Sequence, residues 1–176
     1  MWNSGNWIGY NWWDYSLIYA KLSQIGLSEI AVGPLLFEGT YFVMTKHFSL
    51  EVLVLSLAVV MFTIGLMYVH TLLDYEGDMC AHKKTLVCRI GNKSLAQKGV
   101  FVVYGLGYLF TVVLAIMTKK YCLLVTFILI PLVFRMYNYL KSYICGGDVN
   151  EFYFRLLQAR DLMVYYSLLI TLFLLF

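Results

Sequence analysis

Asp74 and Asp78 lie four positions apart in the stretch LLDYEGDMCAHKKTLVCRIG, residues 72–91. On a helix this spacing projects both carboxylates from one face, about 6 Å apart at Cβ. Two like charges held so close repel, and a divalent cation is the natural group to offset the repulsion. Mg²⁺ takes one or two carboxylates and completes its octahedron with waters and substrate phosphate oxygens. Lys83, Lys84 and Arg89 follow, and they are the donors a phosphate needs once a metal has engaged it. Carboxylates for a metal and then cations for an anion suggest a site for a lipid diphosphate. The same residues admit a plainer reading. Cytoplasmic loops between membrane helices are rich in Lys and Arg, and a solvated acidic pair at a helix end needs no metal, because D-x-x-x-D is a weak motif. Cys80, His82 and Cys88 can be drawn as a zinc site, but their spacing fits no common zinc pattern. The four cysteines include no C-x-x-C pair and read as ordinary reduced thiols.

The elements that must hold these residues are membrane helices. Hydrophobic residues make up 61% of the 176 and charged residues 13%, against about 45–50% and about 25% in ordinary globular chains. Val52–Val69 runs eighteen residues without a charge. Ile30–Thr45 is broken only by Glu38, Gly99–Thr118 and Tyr121–Phe134 are uncharged, and Leu162–Phe176 reaches the last residue. Crossing the hydrocarbon takes about 20 residues, so about five transmembrane helices are expected. Long unbroken apolar runs pair their backbone amides internally as helices, whereas barrel strands would alternate. The expected fold is an all-α, polytopic transmembrane helix bundle, with residues 73–98 as its charged loop. No internal repeat, low-complexity tract or soluble domain interrupts it, and no nucleic-acid partner is expected.

If the helices alternate in direction, ten of the thirteen Lys and Arg fall on one side: Lys21, the run from Lys83 to Lys98, Arg135, Lys141, Arg155 and Arg160. Lys46, Lys119 and Lys120 fall on the other. The positive-inside rule then puts the N-terminus and the charged loop in the cytoplasm and the C-terminus outside, as expected of a protein of the cell inner membrane. The segment MWNSGNWIGYNWWDYSLIYA holds all four Trp and lacks the basic start and apolar core of a secretory signal. It reads as an aromatic stretch at the membrane interface.

DYEGDMCAHKKTLVCRIG resembles the second aspartate-rich motif of the UbiA superfamily of intramembrane prenyltransferases. In that motif D-x-x-x-D precedes a Gly-Lys-x-Thr-Leu stretch and then Arg-Leu-Gly. GLSEIAVGPLLFEGTYFVMT, Gly26 to Thr45, is similar to a helix of the 1,4-dihydroxy-2-naphthoate polyprenyltransferases of menaquinone synthesis. The two matches keep the family's order and spacing, and LLQARDLMVYYSLLITLFLL is compatible with the family's last helix. The resemblance implies a nine-helix bundle in which Mg²⁺ helps ionise an allylic polyprenyl diphosphate, whose prenyl group passes to an aromatic acceptor. By that resemblance Asp74 and Asp78 ligate Mg²⁺ and serve catalysis, while Lys83, Lys84 and Arg89 hold the diphosphate. Metal and cations would stabilise the charge of the departing pyrophosphate.

The departures from the pattern are specific. His70, Thr71, Leu72 and Leu73 stand where the naphthoate enzymes carry Asn-Asn-x-Arg before the first aspartate, and His82 stands where the motif has glycine. Glu38 is an ionisable group inside an apolar helix, either functional or a protonated carboxyl hydrogen-bonded to a neighbouring helix. The family's earlier N-D-x-x-D-x-x-x-D motif has no counterpart, since Asp14 and Glu29 stand alone. The five helices therefore correspond to the family's fifth to ninth, and the chain is expected to be a C-terminal half. It would act with a missing N-terminal half or a homologous partner, or persist as a truncated, non-catalytic remnant or subunit. The CDP-alcohol phosphotransferases, which also use intramembrane aspartates, require Asp-Gly and Ala-Arg ahead of D-x-x-x-D, and neither precedes Asp74 at the needed spacing. The charge asymmetry makes a topological prediction. A membrane-impermeant maleimide should modify Cys80 and Cys88 only after cells are permeabilised; modification in intact cells would reverse the orientation.

Overall fold

The computed structural model describes residues 27–82, 85–144 and 149–175, with side chains for 33–82, 85–141 and 157–175. Among these residues the chain is helical and contains no strand. Helix α1 spans Leu27–Thr45, α2 Leu50–Leu73, α3 Tyr75–Cys80, α4 Leu86–Ile90 and α5 Lys93–Thr118. A 3₁₀ segment, Tyr121–Leu129, leads into α6, Ile130–Ile144, and α7 spans Val149–Leu175. Among the described residues four stretches are long and apolar enough to cross a membrane: Leu50–Leu73, Lys93–Thr118, Tyr121–Lys141 and Leu157–Leu175. The expected run Ile30–Thr45 is helical within α1, but that helix is diluted by Glu29, Pro34 and Glu38, and it falls outside those four. The third stretch also exceeds the uncharged run read from the sequence, continuing past Phe134 to enclose Arg135. The Trp-rich N-terminal segment lies outside the described residues.

The core forms where α2 and α5 cross in opposite directions. Three aromatic rings sit on three glycines along this crossing, in regular succession. Tyr68 of α2 covers Gly99 of α5, Tyr104 of α5 covers Gly65 of α2, and Phe62 of α2 covers Gly107 of α5. A Cβ added at Gly65 would lie 2.6 Å from Tyr104 Cζ, and one at Gly107 would lie 2.8 Å from Phe62 Cε2. Small residues let helix backbones approach closely where lipid supplies no hydrophobic drive for helix to meet helix. Phe62 then gathers the remaining elements. It stacks on Tyr166 of α7 at 3.6 Å and meets Tyr104 and Tyr108 edge-on at 5.3 Å. Tyr108 in turn packs on Phe127 of the 3₁₀ segment, with centroids 5.0 Å apart. Such ring pairs contribute about 0.5–1.5 kcal/mol each beyond their area. A buried hydrogen bond of 2.6 Å between Thr111 and the Tyr166 hydroxyl fixes α7 against α5.

The helix ends are specified locally. Asn92 Oδ1 accepts from the backbone N–H groups of Ser94 and Leu95 at the start of α5, as a good N-cap does. Glu38 Oε2 accepts from Ser49 N–H, just before α2, at 3.4 Å, where the positive end of the helix dipole favours a carboxylate. The hydrogen bond gives Glu38 a place at the cap of the next helix and leaves its two readings side by side. Lys120 Nζ donates to Leu174 O at 2.7 Å, satisfying one carbonyl left over in the last turn of α7. The 3₁₀ winding has a backbone cause. Pro131 has no N–H to give the Phe127 carbonyl, and Ile130 N–H serves that carbonyl instead, three residues on.

Gly99 provides the test of the crossing. A Cβ there would lie 2.8 Å from Tyr68 Cζ and closer still to its hydroxyl, which donates to Ala96 O at 2.6 Å. Gly99→Ala should displace Tyr68 and destabilise the fold by about 1–3 kcal/mol, read as a lower melting temperature in detergent. Adding Tyr68→Phe, which removes the clashing hydroxyl, should recover part of the loss. An unchanged melting temperature for Gly99→Ala would show that the helices do not meet this closely.

Candidate functional site

The charged stretch is a pair of short helices at one end of the α2–α5 crossing. Asp74 ends α2 and begins α3 with φ −83° and ψ 6°. The backbone ladder passes through it with little interruption: Asp74 N–H donates to His70 O at 3.0 Å, and Asp78 N–H to Asp74 O at 2.9 Å. His70, Asp74 and Asp78 therefore occupy successive turns of nearly continuous helix, as the four-residue spacing predicts. Their environments differ. The Asp74 side chain is 40% exposed and its Oδ2 lies 3.1 Å from His70 Nδ1. Asp78 is buried, at 4% exposure. Full burial is unusual for a carboxylate without a compensating interaction, and Asp78 does make one.

The third acidic residue is taken up elsewhere. Glu76 Oε1 lies 3.0 Å from Lys93 Nζ, which also sits 5.9 Å over the Tyr75 ring. This exposed pair contributes at most about 1 kcal/mol, but it draws the first turn of α5 against α3. Tyr68, one turn above Leu72, holds Ala96 of α5 from the other side.

Arg89 is exposed in the last turn of α4. The helix that carries it is closed at both ends by residues of the motif itself. Thr85 Oγ1 accepts from Cys88 N–H at 3.3 Å as the N-cap, and Gly91 ends the helix with φ 66°, the left-handed conformation glycine adopts without penalty. In Thr-Leu-x-x-Arg-Ile-Gly the threonine and glycine are thus punctuation, and Arg89, with Leu86, faces outward. From the sequence Thr85 and Gly91 enter only as parts of the matching motif and Lys93 only as a charge, and Asn92 does not enter; the signal for the structural part of Thr85, Gly91 and Asn92 is their type at helix boundaries. Lys83 and Lys84 lie outside the described residues. Cys80 and His82 are exposed and Cys88 is half-buried, and no three His, Cys, Asp or Glu side chains among the described residues come together as a metal cage.

Of the two carboxylates, Asp74 is reachable from solvent and Asp78 is withdrawn from it. The strain in the turn falls on His82, whose φ is 51°. This is the position where the resembling motif carries glycine, so that glycine has a backbone explanation. His82→Gly should stabilise the protein by up to about 1 kcal/mol, and Gly91→Ala should destabilise it by a similar amount, both read as shifts in melting temperature. A loss of stability in His82→Gly would contradict the strained turn.

The sequence model described as the UbiA prenyltransferase family matches residues 8–157, which takes in the Asp74–Gly91 motif and the whole of Gly26–Thr45. No curated protein and no solved structure matches the chain.

Proposed function

Because the chain belongs to the UbiA prenyltransferase family, we propose that it serves transfer of a polyprenyl group from an allylic diphosphate to an aromatic acceptor, with Asp74 and Asp78 at the reacting end. The observation that carries this reading is the His70–Asp74–Asp78 ladder. It sets two carboxylates one turn apart at the end of a membrane-spanning helix, with the capped helix bearing Arg89 next in the chain. Asp74 and Asp78 would hold Mg²⁺ through their oxygens, and Lys83, Lys84 and Arg89 would hold the diphosphate. When bound, the metal would supply positive charge against the departing pyrophosphate. The remaining work belongs to side chains of this protein. His70 keeps one oxygen of Asp74 turned toward its own helix, Arg89 projects a fixed cation where an anion can approach, and the apolar helices exclude water.

The finer assignment rests on resemblance. Gly26–Thr45 supports 1,4-dihydroxy-2-naphthoate as acceptor and a place in menaquinone synthesis. The cluster of Lys83, Lys84, Arg89, Lys93 and Lys98 in and beside the loop supports a cytoplasmic reaction face in the inner membrane.

One pair of carboxylates is only part of what the reaction asks. These 176 residues hold a single aspartate motif, and groups that act as a unit are strongly non-additive. A complete site would therefore draw its second acidic group from polypeptide outside this sequence, an N-terminal half or a partner. The same observation favours a second reading, in which the chain is a non-catalytic subunit or remnant.

Purified chain in nanodiscs, given geranyl or longer diphosphates, Mg²⁺ and 1,4-dihydroxy-2-naphthoate or 4-hydroxybenzoate, distinguishes these cases. Prenylation should appear only when a four-helix N-terminal half of a related enzyme is co-expressed, and Asp78→Asn should lower it by roughly 100-fold or more. Product from the chain alone would show that one motif suffices. Absence of product in every combination would favour the non-catalytic reading.

A further inference from the structure

Arg135 lies within the membrane-crossing stretch Tyr121–Lys141, where a guanidinium without a counter-charge is costly. It is exposed. Its Nε donates to the Tyr139 hydroxyl at 3.1 Å, and its guanidinium carbon lies 5.5 Å over the Tyr139 ring. These contacts orient the cation without neutralising it, and no carboxylate among the described residues is within ion-pair distance.

Arg135 borders a groove of about 760 Å³ whose described lining is a single stripe of α6: Ile130, Pro131, Phe134, Arg135, Asn138 and Tyr139. The order along the stripe is chemical as well as spatial. The apolar members come first and the donors last. The donor end is the one nearer Lys141, six residues beyond Arg135, or about 9 Å of helix rise. An extended guanidinium can cover much of that distance toward the bilayer surface.

We propose that this groove binds one anionic phospholipid of the surrounding bilayer, its chain along Ile130, Pro131 and Phe134 and its phosphodiester at Arg135 and Asn138. The two terminal nitrogens of Arg135 are not engaged by Tyr139, and they form the fork that fits two phosphate oxygens. Charge matching selects the class. One guanidinium balances the single charge of a phosphodiester, whereas a diphosphate brings several charges and calls for several cations or a metal. A zwitterionic lipid carries its own ammonium and gains less from the site. The proposal does not depend on chemistry at Asp74 and Asp78.

Native mass spectrometry of the purified full chain tests it, with phosphatidylglycerol or phosphatidylcholine of the same acyl chains added at equal concentration. The wild-type chain should retain one phosphatidylglycerol roughly 5- to 10-fold over phosphatidylcholine, and Arg135→Gln should abolish that preference. Asn138→Ala, which keeps the cation, should reduce retention a few-fold, and it carries the test if Arg135→Gln does not fold. Equal retention of the two lipids by the wild-type chain, or unchanged preference in the variants, would overturn the proposal. So would displacement of phosphatidylglycerol by equimolar geranylgeranyl diphosphate without Mg²⁺, which would give the groove to a prenyl diphosphate.

Discussion

The contact on which the rest of the molecule depends is aromatic ring on bare backbone. Within a bilayer the interior of a bundle is no more apolar than its surroundings, so burying Leu against Leu gains little over leaving it in lipid. Helices must instead gain by fitting closely. At the α2–α5 crossing Gly65, Gly99 and Gly107 each receive a ring from the opposite helix. The alternation of donor helix fixes sliding as well as separation, since a shift of one residue along either helix would set rings against side chains. Phe62 shows how far the effect extends, because the ring whose edge meets Gly107 also stacks on Tyr166 and brings in the last helix.

This crossing also places the charged motif. Tyr68 is the ring nearest the charged end, and its bond to Ala96 O joins two points of the chain that bracket the whole stretch from Asp74 to Lys93. The loop between them is held at both ends by one side chain. Within it, each local device is short range: a Thr cap, a glycine in the left-handed region, an Asn cap, and the Lys93–Glu76 pair. The motif is a set of helix boundaries around its acidic and basic residues, and Asp74 and Asp78 fall on successive turns because four residues separate them.

The parts of this arrangement that were legible in the sequence are those with a local signal. Apolar runs announced the helices, and the four-residue interval announced that Asp74 and Asp78 would fall on successive turns, though not that one would be open to solvent and the other buried. What was not legible depends on partners distant in the chain. Nothing near Gly99 announces that Tyr68 covers it, and Glu38 looked ambiguous because its acceptor role toward Ser49 N–H depends on how α1 meets α2. The boundary of the third span was drawn at Arg135 by treating a charge as an end. The helix continues because the side chain leaves the axis while the backbone stays hydrogen-bonded. The 3₁₀ segment was hidden too, although Pro131 was its marker.

That 3₁₀ segment has a consequence for membrane thickness. Its nine residues rise about 2.0 Å each instead of the 1.5 Å of an α-helix, which lengthens the span by roughly 4–5 Å at constant residue number. Most membrane helices meet a mismatch with the bilayer by tilting or by deforming the lipid. Here the added length is built into the winding of one span, away from the ring-on-glycine register of α2 and α5.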